Sequence, residues 1–499
     1  MDRRRLWNLV VAPGLAAMSL LFVFLLLGWH KAGATLDGDS TFSEIGAPSA
    51  AFTVSGTVTC EATGPIADVE VSAWDQLRSS VVASDSTDSS GVYSVTLDEG
   101  IYYLELVPPA TTGLDARAFT TTGIVTDTVL DVNFCVCSGV WVSETVDSAG
   151  DVGRSTSLAL APTHPYTPQI SYYDVTSDSL KYAWLSGNTW LSERVDSGGG
   201  WTSVALIPTY PYTPCITYYD GASPSFWEWF LRYACRDGTT WTIMTLSSNQ
   251  RAGQGGVSLS LEPIYPFTPH ISYYNPFGTI ATLHHAYLTG TIWMSGTWVH
   301  EQVEPSGSSM GTWSSLALEP TYPYTPHISY YDRSNDDLKY ARLSGTTWFT
   351  ETVDSPGDVG WYTSLALNSS GNPHISYYDH TNGVLKYAWL SGTAWLSETV
   401  DSAGGPWYGW GTSLALDRAN GPYISYYDYG DLKFARFDGK VWITQTVDSK
   451  RDVGPFSSLA LDPMGCPHIS YYDATNEDLK YAYIPPHYVC LPLIMRNYP

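Results

Sequence analysis

The sequence predicts an all-β protein, a small antiparallel β-sandwich followed by a seven-bladed β-propeller. Two observations support this prediction. The 499 residues include 36 Tyr, 20 Trp and 43 Gly but only 15% charged residues, a composition typical of short aromatic-rich strands. From residue 141 onward, a unit of about 45–57 residues recurs, and each copy contains four strand-like runs separated by turn residues.

The propeller prediction follows from the order of the runs within the unit. One complete copy has Ser364–Leu367, His374–Tyr378, Leu385–Trp389 and Trp395–Val400. Four short strands per unit of roughly 40–50 residues make a propeller blade, and seven copies of each run predict seven blades within 141–483. The region begins with a fourth-type run, Trp141–Val146, which we expect to become the outer strand of the last blade and to close the ring.

The N-terminal segment 1–34 predicts export. Three arginines at positions 3–5 precede an apolar run from Leu6 to Trp29 and the small residues Ala32-Gly33-Ala34. These features indicate a signal peptide or an N-terminal membrane anchor, and both place the rest of the chain outside the cytoplasm. We therefore expect a secreted or surface-attached protein, in contact with a membrane only through this segment.

A linker (35–51) leads to the first folded domain, residues 52–134, in which apolar and polar residues alternate in short runs such as Val92–Leu97. Its segments Ser55–Thr59, Gly64–Val69, Thr87–Tyr93 and Gly100–Leu104 resemble the carboxypeptidase regulatory-like family. The resemblance implies a transthyretin-like sandwich with a carbohydrate-binding-like fold, serving as an accessory module. The repeats resemble propellers built from HISYYD…LKYA units, within the broad sialidase-like and lectin-like group, and this resemblance is nearly silent on activity. A tail, 484–499, follows the last blade.

The formal charge of −25 excludes one class of partner. An acidic surface repels phosphate backbones, so we expect no nucleic acid partner. Seven cysteines in an exported chain predict disulfides rather than zinc sites, since no CxxC pair is present. We expect Cys215 to pair with Cys235, and at least one further disulfide among Cys135, Cys137, Cys466 and Cys490.

No catalytic constellation, metal site or cofactor motif stands out. Aspartates recur at one position of the unit, each expected to begin the turn after the second strand and to face the lysine of the third: Asp174, Asp332, Asp379, Asp428 and Asp473. Glycoside hydrolysis needs one pair with unlike environments rather than a ring of equivalents. Histidines at one position per blade likewise indicate repeat packing rather than a metal site: His270, His327, His374 and His468.

Aromatic residues in the loops on one face are the candidate ligand-binding residues: Trp201, Trp313, Trp361, Trp410, Phe456, Trp227 and Trp229. Rings near Asp and Asn suit sugars or a protein interface, although they also fill crevices between blades. The sequence therefore favours a monomeric, non-enzymatic binding protein for a glycan or a cell-surface protein. The alternatives are an extracellular glycan-active enzyme, hydrolase or lyase, and a structural surface spacer.

Overall fold

A computed structural model describes the chain in these residues: 51–60, 64–75, 80–98, 102–107, 109, 117–120, 128–129, 132–133, 140–162, 166–221, 230–247, 252–253, 255–276, 281–292, 295–304, 310–402, 411–463, 465–485 and 496–497. The described residues are strands, turns and bends without an α-helix, so the all-β prediction is confirmed. None of them forms a helix with the length and apolarity needed to span a bilayer. The predicted export segment lies outside the described residues.

The first domain is a β-sandwich of two sheets. Its strands are β1 (Ala51–Cys60), β2 (Gly64–Pro65), β3 (Glu70–Trp74), β4 (Val81–Ser86), β5 (Val92–Asp98), β6 (Tyr103–Val107), β7 (Arg117–Thr120), β8 (Thr128–Val129) and β9 (Val132–Asn133). One sheet has the order β4-β3-β6-β7, and the other is built around β1. The strand β5 shows the expected alternation, because its buried residues Tyr93, Val95 and Leu97 face the core and their neighbours face solvent.

The sandwich differs from the prediction in one respect. The strand β1 pairs antiparallel with β5 but parallel with both β8 and β9, so this sheet is mixed rather than antiparallel. The last strand of the chain, β38 (Arg496–Asn497), pairs with β8. The C-terminal tail therefore returns to the first domain.

The propeller consists of seven four-stranded sheets between residues 142 and 483 of the described chain. Blade 1 has β11 (Val152–Leu160), β12 (Pro168–Asp174), β13 (Ser179–Ser186) and β14 (Thr189–Ser197); blade 2 has β15 (Gly200–Leu206), β16 (Pro214–Asp220), β17 (Phe230–Asp237) and β18 (Thr240–Ser247); blade 3 has β19 (Val257–Leu261), β20 (Pro269–Asn275), β21 (Thr282–Ile292) and β22 (Ser295–Gln302). Blade 4 has β23 (Met310–Leu318), β24 (Pro326–Asp332), β25 (Asp337–Ser344) and β26 (Thr347–Asp354); blade 5 has β27 (Val359–Leu367), β28 (Pro373–Asp379), β29 (Val384–Ser391) and β30 (Ala394–Asp401). Blade 6 has β31 (Thr412–Leu416), β32 (Pro422–Asp428), β33 (Asp431–Phe437) and β34 (Trp442–Asp448); blade 7 has β35 (Ser458–Leu461), β36 (Pro467–Asp473), β37 (Asp478–Tyr483) and, from the start of the region, β10 (Val142–Asp147).

The ring closes through blade 7. Its outer strand β10 pairs antiparallel with β37, as the position of the first run predicts. The inner strands are joined by one repeated hydrogen bond, in which a backbone N–H of one blade donates to a serine Oγ of the blade before it. The same bond, from Leu158 to Ser458 at 3.0 Å, joins blade 1 to blade 7. The other serine acceptors are Ser157, Ser203, Ser258, Ser315, Ser364 and Ser413.

Cys215 and Cys235 lie opposite each other in β16 and β17 and form a disulfide. Cys466 is also disulfide-bonded. Cys135, Cys137 and Cys490 lie outside the described residues.

Candidate functional site

One residue per blade lies near the start of the inner strand, two residues before the repeated serine. These seven positions, which we call the channel mouth, are Ser155, Trp201, Gly256, Trp313, Tyr362, Gly411 and Phe456. All seven have positive φ, from 51° at Tyr362 to 127° at Gly256. A left-handed backbone is unusual for tryptophan, tyrosine and phenylalanine. It arises here because the inner strands are irregular at this point, with register shifts such as that between Trp361 and Ser364.

The aromatic residues of the mouth, together with the neighbouring Trp361, form two groups. Trp313 lies 4.9 Å from Trp361 and 4.5 Å from Tyr362, measured between ring centroids. Trp201 and Phe456 make a second, more open contact at 6.3 Å. All five rings are half-buried, so each fills part of the inner crevice and presents part of its surface. The structure thus brings together four of the candidates, Trp313 with Trp361 and Trp201 with Phe456, while Trp227, Trp229 and Trp410 lie outside the described residues.

Titratable groups surround the first aromatic group. The ring of Trp361 stacks on His380 at 4.3 Å with an interplanar angle of 9°, and its Nε1 donates a 2.6 Å hydrogen bond to Asp358 Oδ1. The hydroxyl of Tyr331 lies 2.8 Å from the same Asp358 oxygen and 2.9 Å from Asp336 Oδ1. A tryptophan, a tyrosine and two carboxyl groups therefore form one connected cluster between blades 4 and 5.

The two carboxyl groups of this cluster have different environments. Asp358 is half-buried and can accept hydrogen bonds from both Trp361 and Tyr331, whereas Asp336 is exposed. The tyrosine hydroxyl has one hydrogen, so it donates a full hydrogen bond to only one of these carboxyl groups at a time. Burial, and then the hydrogen bonds to the two aspartates, raise the pKa of Tyr331 far above its usual value, which keeps this hydroxyl protonated at neutral pH.

Equivalent aspartates in other blades have no such arrangement. In blade 1, Asp151 accepts from Tyr472 but is neutralised by Arg154, 2.8 Å away, at the position that Trp361 holds in blade 5. In blade 7, Asp452 accepts a 2.8 Å hydrogen bond from Tyr427. Among Tyr331, Tyr427 and Tyr472, it is Tyr331 whose hydroxyl contacts two carboxyl groups within the described ranges. No Lys or Arg of those ranges forms an ion pair with Asp358.

The residues that sequence reasoning assigned to repeat packing have that role in the structure. The turn aspartates accept backbone N–H groups, as Asp379 does from Asn382 at 2.9 Å. The repeated histidines of blades 4, 5 and 7, which lie in the second strand, each contact a tyrosine hydroxyl of the third strand, as in His374 and Tyr387. No group of three or more His, Cys, Asp or Glu side chains suited to a metal ion occurs among the residues that the structure describes.

Sequence reasoning missed Tyr331, Asp336 and Asp358 as a site. The triplet Asp-Val-Gly occurs three times, at 151–153, 358–360 and 452–454, but only the second is followed directly by tryptophan. The tryptophan at this one copy was the feature of the sequence that could have pointed to Asp358 as part of a site. Tyr331 and Asp336 carry no signal of their own, because tyrosine and aspartate recur at the same positions in other blades.

The comparisons with known proteins concern the fold. No family model matches the sequence, and no curated protein was found to be similar. Similar solved structures include a polysaccharide lyase described as an ulvan lyase (10% identity, 68% of this chain and 95% of that one, TM-score 0.46). They also include an α-L-arabinofuranosidase from Fusarium graminearum (11%, 70% and 97%, TM-score 0.40) and a leech intramolecular trans-sialidase (10%, 86% and 93%, TM-score 0.36).

These neighbours correct the expected function. A non-enzymatic binding protein was the favoured prediction, but the similar structures include a polysaccharide lyase, an arabinofuranosidase and a trans-sialidase. That finding contradicts the predictions of a non-enzymatic binding function and of no enzymatic activity. At these identities the likeness is one of fold, so the choice of activity depends on the residues of the site.

Proposed function

We propose that this protein is a glycoside hydrolase that cleaves a neutral glycan at the channel mouth, between blades 4 and 5. The observation that carries the proposal is the contact of Asp336 and Asp358 with one hydroxyl, that of Tyr331, beside half-buried aromatic rings. Hydrolysis of a glycosidic bond uses two carboxyl groups in unlike protonation states, one acid and one base or nucleophile.

The environments of the two aspartates divide these roles between them. We assign the role of nucleophile or base to Asp358, which accepts hydrogen bonds from Trp361 and Tyr331. We assign the role of acid, which delivers a proton to the leaving oxygen, to Asp336, because it is exposed to substrate. Tyr331 remains protonated and positions both carboxyl groups rather than acting as a nucleophile.

The rings beside the cluster supply the sugar-binding surface. The half-buried faces of Trp313, Trp361 and Tyr362 lie within a few ångströms of one another, and such aromatic surface suits the apolar face of a sugar ring. The net charge of −25 disfavours a polyanionic substrate, since like charges repel at a mouth already lined with carboxylates. A neutral polysaccharide fits better than a uronate chain, which favours hydrolysis over elimination.

The test is release of reducing ends from linear arabinan, galactan, xylan and mixed-linkage β-glucan by the purified full chain. We expect Asp358→Asn and Asp336→Asn to lower the rate by about 10²-fold or more, since each removes a group that handles a proton or the sugar carbon. Asp452→Asn is the matched control, because Asp452 holds a tyrosine in the same way outside the cluster, and its rate should equal that of the wild type. Equal rates for Asp358→Asn and the wild type, or no release from any of the four polymers, would overturn the proposal.

The stereochemistry of the product is a second, independent check. Two carboxyl oxygens that contact one hydroxyl are held close together, and the shorter carboxyl separation is that of retaining enzymes. Proton NMR of the first-formed product should therefore show the anomeric configuration of the substrate. Inversion would exclude Asp358 as a nucleophile that forms a covalent glycosyl-enzyme intermediate.

We extend the proposal to the rest of the chain. Residues 52–134 serve as a carboxypeptidase regulatory-like accessory module, and 141–483 form a seven-bladed propeller of the sialidase-like group. The basic and apolar N-terminal segment exports the chain, which places the hydrolase where extracellular polysaccharide is found. Detection of the protein in the culture supernatant or at the cell surface tests the last point.

A further inference from the structure

A second set of aromatic residues lies at the other end of the blades, on the turns between the first and second strands of blades 2, 3 and 4. Each turn presents one tyrosine to solvent: Tyr210 is 87% exposed, Tyr265 64% and Tyr322 80%. We call these residues the three turn tyrosines. They are far more exposed than the aromatic residues of the channel mouth, which are half-buried.

The three turns have the same construction. In each, a backbone N–H two residues after the tyrosine donates to the carbonyl of the residue before it, at 2.7–2.9 Å: Tyr212 to Thr209, Phe267 to Ile264 and Tyr324 to Thr321. The ring of the donor residue meets the exposed tyrosine edge to face, with centroids 5.9, 5.9 and 6.0 Å apart. The tyrosines are therefore held in one orientation, and little side-chain freedom remains to be lost on binding.

The fold does not require these turns. Blades 5, 6 and 7 connect the same two strands by short turns closed by an Asn or Asp side chain, as in Asn368–Asn372 and Asp417–Gly421. Those blades have the same strand pairing as the others. Finishing the hairpin therefore does not account for the exposed tyrosines, and large exposed apolar side chains grouped on one surface mark a binding site.

The chemistry of the turns selects the ligand. They contain tyrosine, proline and threonine and no lysine or arginine, so they offer rings and hydroxyl groups without positive charge. One tyrosine per blade, on successive blades related by the rotation of the ring, gives equal contacts at equal steps. Such a row matches a ligand that is itself a repeat of equal units, whereas a protein partner has an irregular surface.

We propose that the three turn tyrosines anchor a neutral polysaccharide chain at a site separate from the channel mouth. The proposal rests on the proposed function in one respect, that the anchored polymer is the substrate of the hydrolase. The anchor would raise the local concentration of cleavable chain near the mouth without taking part in the reaction.

The experiment measures adsorption of the full chain to insoluble xylan, β-glucan and chitin, together with hydrolysis of soluble oligosaccharides. The test variant is Tyr210→Ala/Tyr265→Ala/Tyr322→Ala. The control is Phe349→Ala/Leu396→Ala, which removes exposed apolar side chains from the outer strands of blades 4 and 5. Thermal unfolding of each variant shows that it is folded, and the single Tyr322→Ala variant replaces the triple one if that does not fold.

We expect the adsorption of the triple variant to be at least about tenfold lower than that of the wild type, and the adsorption of the control to equal it. Its rate on soluble oligosaccharides should stay within about twofold of the wild-type rate, because its catalytic groups are unchanged. Asp358→Asn should show the reverse, with full adsorption and little hydrolysis, so failure of one proposal is distinguished from failure of the other. Adsorption of the triple variant equal to that of the wild type, or a wild type that adsorbs to none of the three polymers, would overturn the inference.

Discussion

All seven junctions between neighbouring blades are built from one repeat. Six of them contain an ion pair between the blades, and the junction between blades 2 and 3 has none among the residues that the structure describes. Between blades 4 and 5, Lys386 forms an ion pair with Asp354, which also accepts a 2.6 Å hydrogen bond from Tyr377. The Nε1 of Trp395 donates to Glu351 of the previous blade at 2.9 Å. In the described part of the ring, the other five junctions repeat this ion pair, as Lys181–Asp147, Arg232–Asp196, Lys339–Glu304, Lys433–Asp401 and Lys480–Asp448.

The junction between blades 2 and 3 has lost these polar partners. Ser247 and Met244 occupy the positions that Asp and Glu hold elsewhere, and His284 replaces the lysine. Tyr273 contacts His300 of its own blade at 2.9 Å, and the Nε1 of Trp298 is buried without a hydrogen-bond partner. Apolar residues of both blades form a core cluster here, as they do at the ion-paired junctions, and it includes Leu246, Val257 and Leu259.

This comparison indicates that the ring does not depend on an ion pair at every junction. Taking two charges out of water costs nearly as much as their attraction returns, so a well-packed apolar contact can replace a buried ion pair. What the junction between blades 2 and 3 retains is the inner-strand bond, from Leu259 N–H to Ser203 Oγ at 3.1 Å. The disulfide between Cys215 and Cys235 lies within this apolar cluster.

The largest expected effect on stability comes from removing one partner of an ion pair and leaving the other in place. Lys386→Met leaves the buried Asp354 without its cation, and we expect a loss of about 3–5 kcal/mol in the free energy of unfolding. The double variant Lys386→Met/Asp354→Leu imitates the apolar junction and should regain most of that loss. Urea denaturation measures both, and a double variant as unstable as the single one would show that apolar replacement fails here.

A smaller expected effect is on the pH dependence of stability, which should differ between the two kinds of junction. Burial lowers the pKa of both His284 and His285 to about 4, whereas an unfolded histidine titrates near 6.5, so only the unfolded chain gains protons as the pH falls between these values. The stability from blade 3 is therefore present above pH 6.5 and lost on the way to pH 4, with His284 contributing about 2–3 kcal/mol of the loss. His284→Gln should flatten the fall in denaturation midpoint over this window.

The ion-pair junctions should respond at lower pH. Burial opposes ionisation of Asp448, but hydrogen bonds from Lys480 and Tyr471 outweigh it and lower the pKa below 3.8. Its contribution to stability is thus present above pH 3.8 and lost as the pH falls further. Asp448→Asn should leave the fall between pH 6.5 and 4 unchanged, and a change there would contradict this separation.

The smallest expected effect is a gain in the free energy of unfolding. Met244→Glu places an acceptor opposite the unpaired Nε1 of Trp298, in the arrangement of Glu193 and Trp241 one junction earlier. We expect about 0.5–1.5 kcal/mol of added stability, the net value of one hydrogen bond. The matched change Glu398→Met, which removes the acceptor of the 2.8 Å hydrogen bond from Trp442 Nε1, should cost a similar amount, and both are measured by urea denaturation. Two changes of the same sign would rule out the tryptophan bond as the cause.

The repeat predicted the strands and their order because strand formation and pairing depend on residues close in the chain. Alternation with a period of two fixes which side chains of β5 are buried, and turn residues fix where each hairpin reverses. The same argument predicted that β10 completes blade 7. The lysines face the aspartate after the second strand, as expected: Lys433 lies 2.5 Å from Asp428 and Lys386 lies 4.0 Å from Asp379. The sequence did not show that Lys386 would pair more closely with Asp354 of the blade before it.

The sequence by itself determined the architecture of this protein, since every blade repeats the same local pattern and a pattern repeated seven times can be recognised without the fold. Only the tertiary structure decided the candidate site, because Tyr331, Asp336 and Asp358 come from the second strand of blade 4, the turn after it and the start of blade 5. A hydrogen bond between side chains depends on where the blades meet. No spacing along the chain shows which of several equivalent tyrosines will contact two carboxyl groups.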